Sequence, residues 1–118
     1  MTIQDTPLIH STYQLYRMLH EKSTRIPKNA RYTIWQRCEN ACLDALQKLI
    51  AVSYLPAAAR REKVLEVSSS VDMLRIFIRL THDTNAIEKK SYLALQEQID
   101  EIGRMLGGWL KTLKGPEL

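Results

Sequence analysis

The sequence has 118 residues, which is long enough for one domain with a sizeable core and too short for two. Its composition, 45% hydrophobic and 25% charged, is ordinary for a soluble globular protein and argues against a disordered or fibrous chain. The formal net charge of +4 permits nucleic acid, an acidic protein surface or an anionic membrane as partner, and does not choose among them.

The beginning of the chain, MTIQDTPLIHST, lacks the basic region and the apolar core of a secretion signal. No apolar run in the chain approaches the roughly 18 residues of a membrane helix. We therefore expect a cytoplasmic protein without a membrane partner, and a flexible N-terminal tail over residues 1–8.

Apolar residues recur at steps of three and four along most of the chain, which predicts amphipathic helices and no strand. Turn signals at Ile26-Pro27, Pro56 and Thr84-Asn85 separate these helices. Helices joined by such short turns are expected to form an all-α, antiparallel, up-down-up-down four-helix bundle over residues 9–114. The predicted helices cover about 9–25, 30–54, 57–82 and 86–114, and a C-terminal tail covers 115–118.

The same spacing predicts which side chains of the first three helices face the core. They are Tyr13, Leu15, Tyr16 and Leu19 in the first helix, Trp35, Cys38, Cys42, Ala45, Leu49 and Val52 in the second, and Val64, Val67, Val71, Leu74, Ile78 and Thr81 in the third. Cys38 and Cys42 are predicted to be buried thiols, because a spacing of four along a helix suits a disulfide poorly and nearby sequence lacks two further metal ligands. No metal or cofactor is expected.

The last predicted helix has the most regular apolar stripe, interrupted by three glycines. The stripe consists of Tyr92, Leu95, Ile99, Ile102, Leu106, Trp109 and Leu113. Gly103, Gly107 and Gly108 each cost about 1 kcal/mol relative to alanine inside a helix. Two interpretations stay open. Either the glycines and Trp109 allow a tight approach in helix packing or assembly, or Gly107-Gly108 only kinks the end of the helix.

Residues 100–111, DEIGRMLGGWLK, resemble a signature near the C-terminus of a family of bacterial four-helix-bundle proteins. That family includes the proteins encoded in 23S rRNA intervening sequences and Avd, the accessory protein of diversity-generating retroelements. Arg31-Tyr32-Thr33 at the start of the second helix and residues 74–80, LRIFIRL, agree with the resemblance. It covers about residues 13–114, and it does not separate a retroelement accessory from an intervening-sequence protein or a free-standing member.

The resemblance implies a ring of five bundles, because Avd-like proteins form such rings. It also implies a basic protein that binds nucleic acid and contacts a reverse transcriptase. Matching the family's motifs residue by residue indicates Arg31, Arg75, Arg79 and Arg104 as candidate nucleic-acid-binding residues.

Several apolar residues fall outside the inward stripes, and a monomer would leave some of them facing water. They are Ile34, Ile50, Tyr54, Leu65, Ile76, Phe77, Leu93 and Leu110. Contiguous apolar patches on soluble proteins usually mark interfaces, so this pattern predicts a homo-oligomer. The alternative is that these residues are scattered singly over a monomer, which is also normal.

Positive charge is concentrated toward one end of the predicted bundle. Residues 20–37 and 72–91 hold nine cations and four anions, which gives +5, whereas the remainder holds eight cations and nine anions, which gives −1. Backbone N–H groups and the basic side chains Arg25, Lys28, Arg31 and Arg37 around the start of the second helix could hold phosphate. A solvated basic face is the alternative.

An enzyme is not expected. The three histidines are scattered, no Glu-x-x-His pair is present to build a di-iron centre, and neither a phosphate-cradling glycine loop nor a nucleophile motif occurs. The hypothesis is therefore a non-enzymatic, oligomeric nucleic-acid-binding adaptor, which binds RNA or DNA beside a partner enzyme. The second hypothesis is a structural homo-oligomer whose partner is another protein and whose basic surface is incidental.

Overall fold

The computed structural model describes residues 5–113, with side chains from Pro7 onward. Four long helices and one short helix make up this part of the chain, and it contains no strand. The all-α prediction with four long helices is therefore confirmed. The helices are α1 Asp5–Lys22, α2 Lys28–Arg31, α3 Ile34–Val52, α4 Ala57–Asp83 and α5 Lys89–Thr112, and a 3-10 turn, Ser23–Arg25, follows α1.

Helix α1 begins earlier than the sequence predicted. It starts at Asp5, and Pro7 lies in its first turn, where the missing N–H group has no helical partner to lose. Leu8 is only 1% exposed and accepts a hydrogen bond from Thr12 Oγ1 at 2.8 Å. Residues 5–8 therefore form the start of α1, whereas residues 1–4 of the predicted N-terminal tail and the predicted C-terminal tail, 115–118, lie outside the described residues.

The early start of α1 also changes which residues of this helix face the core. The buried positions of α1 are Leu8, Thr12, Leu15 and Leu19, and this line leaves Tyr13 53% exposed. The prediction that Tyr13 faces the core is therefore wrong, whereas Leu15 and Leu19 are confirmed.

The second predicted helix is interrupted near its start. Helix α2 ends at Arg31, and Thr33 departs from helical geometry with φ −122° and ψ −100° before α3 begins. The Thr33 hydroxyl donates to the Asn29 carbonyl at 2.8 Å, a local bond that competes with helix continuation. A second difference lies before α5, where Asn85 adopts φ 62°, so that α5 begins at Lys89 and not at 86.

The core agrees with the predicted stripes. All six inward residues predicted for α3 and all six predicted for α4 are buried. In α5 the buried residues are Ser91, Leu95, Ile99, Ile102, Leu106 and Trp109, with Tyr92 half-buried beside them. Burial raises the pKa of both the Cys38 and Cys42 thiols to about 12, so these free cysteines stay protonated at neutral pH, as expected of buried thiols.

Each long helix packs against two others, and polar contacts occur at these packing faces. The Cys42 thiol lies 3.5 Å from the Thr12 carbonyl across α3 and α1, and Ser70 donates to Asp44 at 2.8 Å across α4 and α3. The Gln98 amide donates to the Ser11 carbonyl at 2.8 Å across α5 and α1. The bundle measures 48 × 24 × 20 Å.

The glycines of α5 differ in their surroundings. A Cβ added to Gly103 would lie 3.2 Å from Nη2 of Arg75, whereas one added to Gly107 or Gly108 would meet no described atom within 4 Å. The helix also continues beyond them to Thr112. The close-approach interpretation is therefore wrong for Gly107 and Gly108 within the chain, although their role in assembly stays a prediction.

The open surroundings of Gly107 give a stability prediction. Gly107→Ala is expected to raise the free energy of unfolding by about 0.5–1 kcal/mol, because alanine restricts the unfolded chain and its methyl group meets open space. Thermal unfolding of the variant measures this change. A lower melting temperature of the variant would indicate that Gly107 is tightly packed after all.

Candidate nucleic-acid interface

The turn after α1 and the turn before α5 lie together at one end of the bundle. A cavity of about 320 Å³ is lined by Lys22, Arg25 and Ile26 from the first turn, and by Ala86, Ile87, Glu88 and Ser91 from the second. A second hollow, of about 410 Å³, is lined by Pro27, Asn29, Ala30, Thr33 and Ile34 together with Thr84, Asn85 and Ala86. The sequence-based grouping of these two turns at one end is thus borne out.

Five cations lie on this end, which we call the basic end. They are Lys22, Arg25, Lys28, Lys89 and Lys90. None of them forms an ion pair with a carboxylate in the part of the chain that the structure describes. Lys89 and Lys90 open α5, where positive charge opposes the helix dipole, so an anion bound there would lower the electrostatic energy.

The cavity at the basic end also contains a carboxylate. Glu88 lines the cavity and accepts a hydrogen bond from the Ser91 hydroxyl at 3.2 Å. No side chain caps the start of α5 by hydrogen bonding, and the first turn of that helix contains no acidic residue. Glu21 and Asp83 also lie beside the two turns, so the five cations of the basic end outnumber three carboxylates.

Arg31 also lies at this end, but its guanidinium is engaged by the protein backbone. Its Nη2 donates to the carbonyl oxygens of Thr24 and Ile26, at 3.0 Å in each case. Its Nε is buried without a hydrogen-bond partner among the described residues. The guanidinium thus holds the turn between α1 and α2 together, so Arg31 is a structural residue here.

Arg37 lies on a separate face. Its guanidinium sits over the ring of Phe77 at 5.3 Å from the centroid, which is a cation–π contact. The groove beside it, between α3 and α4, also contains Asp44, whose pKa is lowered. Partial burial opposes ionisation of Asp44, but hydrogen bonds from Ser70 and Lys48 outweigh it.

The other three candidates, Arg75, Arg79 and Arg104, lie on the α4 and α5 side, and each pairs with a carboxylate. Arg75 binds Asp100 of α5, Arg79 lies 3.7 Å from Asp83, and Arg104 binds Glu101. Arg75 and Arg104 line one groove of about 440 Å³ between the two helices. These pairs neutralise much of the charge that a phosphate would need.

A family model described as bAvd-like matches residues 8–113, which spans all of the core described above. The chain belongs to the bAvd-like family. The resemblance to Avd-like bundle proteins that the glycine-rich segment predicted is therefore confirmed. The comparison with curated proteins finds no match.

The structure divides the candidate residues of this bAvd-like chain among three places. Arg25 and Lys28 lie at the basic end with Arg31, Arg37 lies in the α3 and α4 groove, and the remaining three lie between or beside α4 and α5. The set proposed from sequence is therefore not one continuous surface. Lys22, Lys89 and Lys90 belong to the nine cations that the sequence analysis counted at this end, but they were not among its candidate binding residues; their position beside the two turns is the reason to add them as candidates.

Neither a metal-ligand cluster nor a membrane-spanning helix occurs in the described part of the bAvd-like chain. Among the described residues, no three His, Cys, Asp or Glu side chains come together in a group that could hold a metal ion. None of the described helices has both the length and the apolar character needed to cross a membrane.

Proposed function

We propose that this bAvd-like chain is a non-enzymatic adaptor that binds nucleic acid through its basic end and works as a homo-oligomer. The observation that carries the proposal is the group of five cations at the basic end that form no ion pair with a described carboxylate. Lysine and arginine without carboxylate partners suit phosphate groups, and contacts to phosphate are tolerant of sequence. RNA or DNA is therefore the expected ligand.

The proposed assembly is a ring of five up-down-up-down bundles. The antiparallel order is supported by pairs in which the residue number rises on one helix as it falls on its neighbour. Across α3 and α4, Cys38 contacts Thr81 and Asp44 contacts Ser70. Across α4 and α5, His82 stacks on Tyr92 and Arg75 pairs with Asp100. Self-association is supported by exposed apolar residues, including Ile50, Tyr54, Leu65, Ile76 and Leu93, all of which the sequence placed outside the inward stripes.

The proposed setting is the cytoplasm, with a reverse transcriptase as the partner enzyme, as the family resemblance implies. The alternative function is a structural homo-oligomer that binds another protein. The exposed apolar residues support this alternative as well as they support the adaptor, because another protein surface, and not a nucleic acid, would cover them. Only a binding measurement separates the two functions.

The decisive experiment is fluorescence anisotropy of a structured RNA and of a DNA duplex, titrated with the purified oligomer across a salt series. We expect micromolar or tighter binding whose logarithm falls linearly with the logarithm of salt concentration, since several phosphates are contacted together. Absence of binding at low salt would contradict the proposal and leave the structural alternative.

The variant that tests the basic end is the double substitution Arg25→Gln and Lys28→Gln. If each cation contacts one phosphate of duplex DNA, the salt slope falls by about 1.8 for each bound copy and affinity falls roughly tenfold or more. The matched control is Arg79→Gln with Arg104→Gln, which removes the same formal charge from ion-paired positions. A larger loss of affinity in the control would indicate that nucleic acid binds on the α4 and α5 side instead.

A further inference from the structure

The cavity at the basic end contains groups of opposite charge that do not neutralise one another. Lys22, Arg25 and Glu88 all line this cavity, whose volume is about 320 Å³. Within the described part of the chain, neither Lys22 nor Arg25 forms an ion pair with Glu88. The cavity therefore offers two cations and a separate hydrogen-bond acceptor to a ligand that enters it.

The Glu88 carboxylate is only partly engaged by the protein. Its Oε1 atom accepts a hydrogen bond from the Ser91 hydroxyl at 3.2 Å, and the side chain is exposed. A carboxylate has about four acceptor sites on its two oxygens. Glu88 can therefore accept a further hydrogen bond from a donor inside the cavity.

The remaining walls of the cavity are largely apolar. Ile26 and Ile87 are 2% and 9% exposed, and Ala86 lines the cavity beside them. Small-ligand sites combine such apolar walls with a few polar groups, and their volumes begin at about 300 Å³. The cavity therefore has the size and the lining of a site for one small unit, such as a single nucleotide of a strand.

The mixture of charges restricts which part of a nucleic acid fits. A phosphate alone would be attracted by Lys22 and Arg25 but repelled by Glu88. The deoxyribose–phosphate backbone contains no hydrogen-bond donor for a carboxylate, whereas ribose carries the donor of its 2′-hydroxyl close to the phosphate. A guanine edge also has donors, but pairing two of them with one carboxylate requires both oxygens, and Oε1 is already bonded to Ser91. The 2′-hydroxyl of ribose is the donor that suits this cavity best.

We propose that the cavity selects RNA over DNA, with Glu88 accepting a hydrogen bond from a ribose 2′-hydroxyl while Lys22 and Arg25 contact the adjacent phosphate. The inference rests on the proposed function, because it requires nucleic acid at the basic end, and it narrows the ligand to RNA. Phosphate contacts are common to both kinds of strand, whereas the 2′-hydroxyl distinguishes them. Glu88 is therefore the residue that determines specificity.

Three single strands of equal length test the role of the sugar. They are oligomers of uridine, of deoxyuridine and of 2′-fluoro-deoxyuridine, which share one base and carry the same number of phosphates. The fluorinated strand keeps the ring shape of ribose but lacks the hydroxyl donor. Fluorescence anisotropy with the purified protein at one low salt concentration gives the three affinities. We expect the uridine strand to bind about fivefold or more tightly than either of the others, because each lacks a hydrogen bond to a charged group.

Glu88→Met tests the carboxylate, and Glu21→Met is its matched control. Both variants replace an exposed glutamate near the turns by an uncharged side chain of similar length, but Glu21 does not line the cavity. We expect Glu88→Met to bind the deoxyuridine strand more tightly, because repulsion of phosphate is removed, and to bind uridine and deoxyuridine within about twofold of each other. Glu21→Met should change both affinities by the same factor and keep their ratio. Circular dichroism checks that both variants are folded.

The outcomes separate this inference from the proposed function. If the uridine and deoxyuridine strands bind the unmodified protein equally, the inference is wrong and the proposed function stands. Equal binding of the uridine and fluorinated strands would likewise overturn it, and this comparison needs no variant. If RNA is preferred but folded Glu88→Met keeps the preference, the assignment to this cavity is wrong. If no strand binds at low salt, the proposed function fails and the inference fails with it.

Discussion

Trp35→Ala is expected to lower the free energy of unfolding by about 3–5 kcal/mol, the typical cost of truncating a large buried aromatic residue. Trp35 is 0% exposed and is among the largest fully buried side chains of the core. A domain of this size has a total stability of about 5–15 kcal/mol, so the variant loses a large share of it. Chemical denaturation of the parent and the variant, with equal m-values, measures the difference.

Two further substitutions sharpen this measurement. The indole N–H of Trp35 is buried without a hydrogen-bond partner among the described residues, which costs roughly 1–3 kcal/mol. Trp35→Phe removes that donor and keeps an aromatic ring, so we expect a clearly smaller loss than for alanine. Tyr32→Ala, at a residue that is 63% exposed, is the matched surface control and should change stability by no more than about 0.5 kcal/mol. Equal losses for alanine and phenylalanine would contradict this expectation, because they would mean that a phenyl ring recovers none of the packing of the indole.

The second large effect is expected for Arg31→Ala, which removes both hydrogen bonds that close the turn between α1 and α2. Each is a bond from a charged donor, and we expect a combined loss of about 2 kcal/mol in the free energy of unfolding. Arg31→Lys should recover only part of this, because an ammonium group lacks the planar fork that reaches two carbonyl oxygens. Equilibrium unfolding of both variants provides the measurement.

RNA binding by the folded Arg31→Ala variant distinguishes a structural role of Arg31 from a binding role. If its guanidinium only closes the turn, folded Arg31→Ala should bind RNA within about twofold of the parent, in contrast to the double variant at Arg25 and Lys28. Unchanged unfolding with tenfold weaker RNA binding would instead place Arg31 in the nucleic-acid interface.

The buried faces of α3 and α4 could be predicted from sequence because they depend on spacing alone. A residue and the one three or four positions later lie on the same side of a helix whatever surrounds it. Tyr13 was predicted wrongly because the start of α1 was placed too late, which left Leu8 out of the buried line. The interruption at Thr33 depends on a hydroxyl bonding back to Asn29, which a pattern of apolar residues does not record.

The candidate site was harder to predict, because charge depends on partners as well as on sequence. Arg75 and Asp100 are 25 positions apart and meet only when α4 packs against α5. In contrast, Arg79 with Asp83 and Arg104 with Glu101 have the spacing of neighbours on one helix, so sequence could have indicated their pairing. The hydrogen bonds of Arg31 to the backbone could not be predicted from sequence, because they depend on the conformation of the turn that carries the two carbonyl groups.

The position of the basic end on a bundle 48 Å long has a consequence for any side-by-side assembly. Parallel copies bring all their basic ends to one rim, separated by about one bundle width of 20–24 Å. The phosphates of one strand of duplex DNA recur about every 3.4 Å along the helix axis, so neighbouring rim sites would be separated by the axial length of roughly six or seven base pairs. In the proposed assembly, individually weak sites at this separation would act by avidity, so we expect a ligand too short to reach two of them to be released far more readily than a longer one.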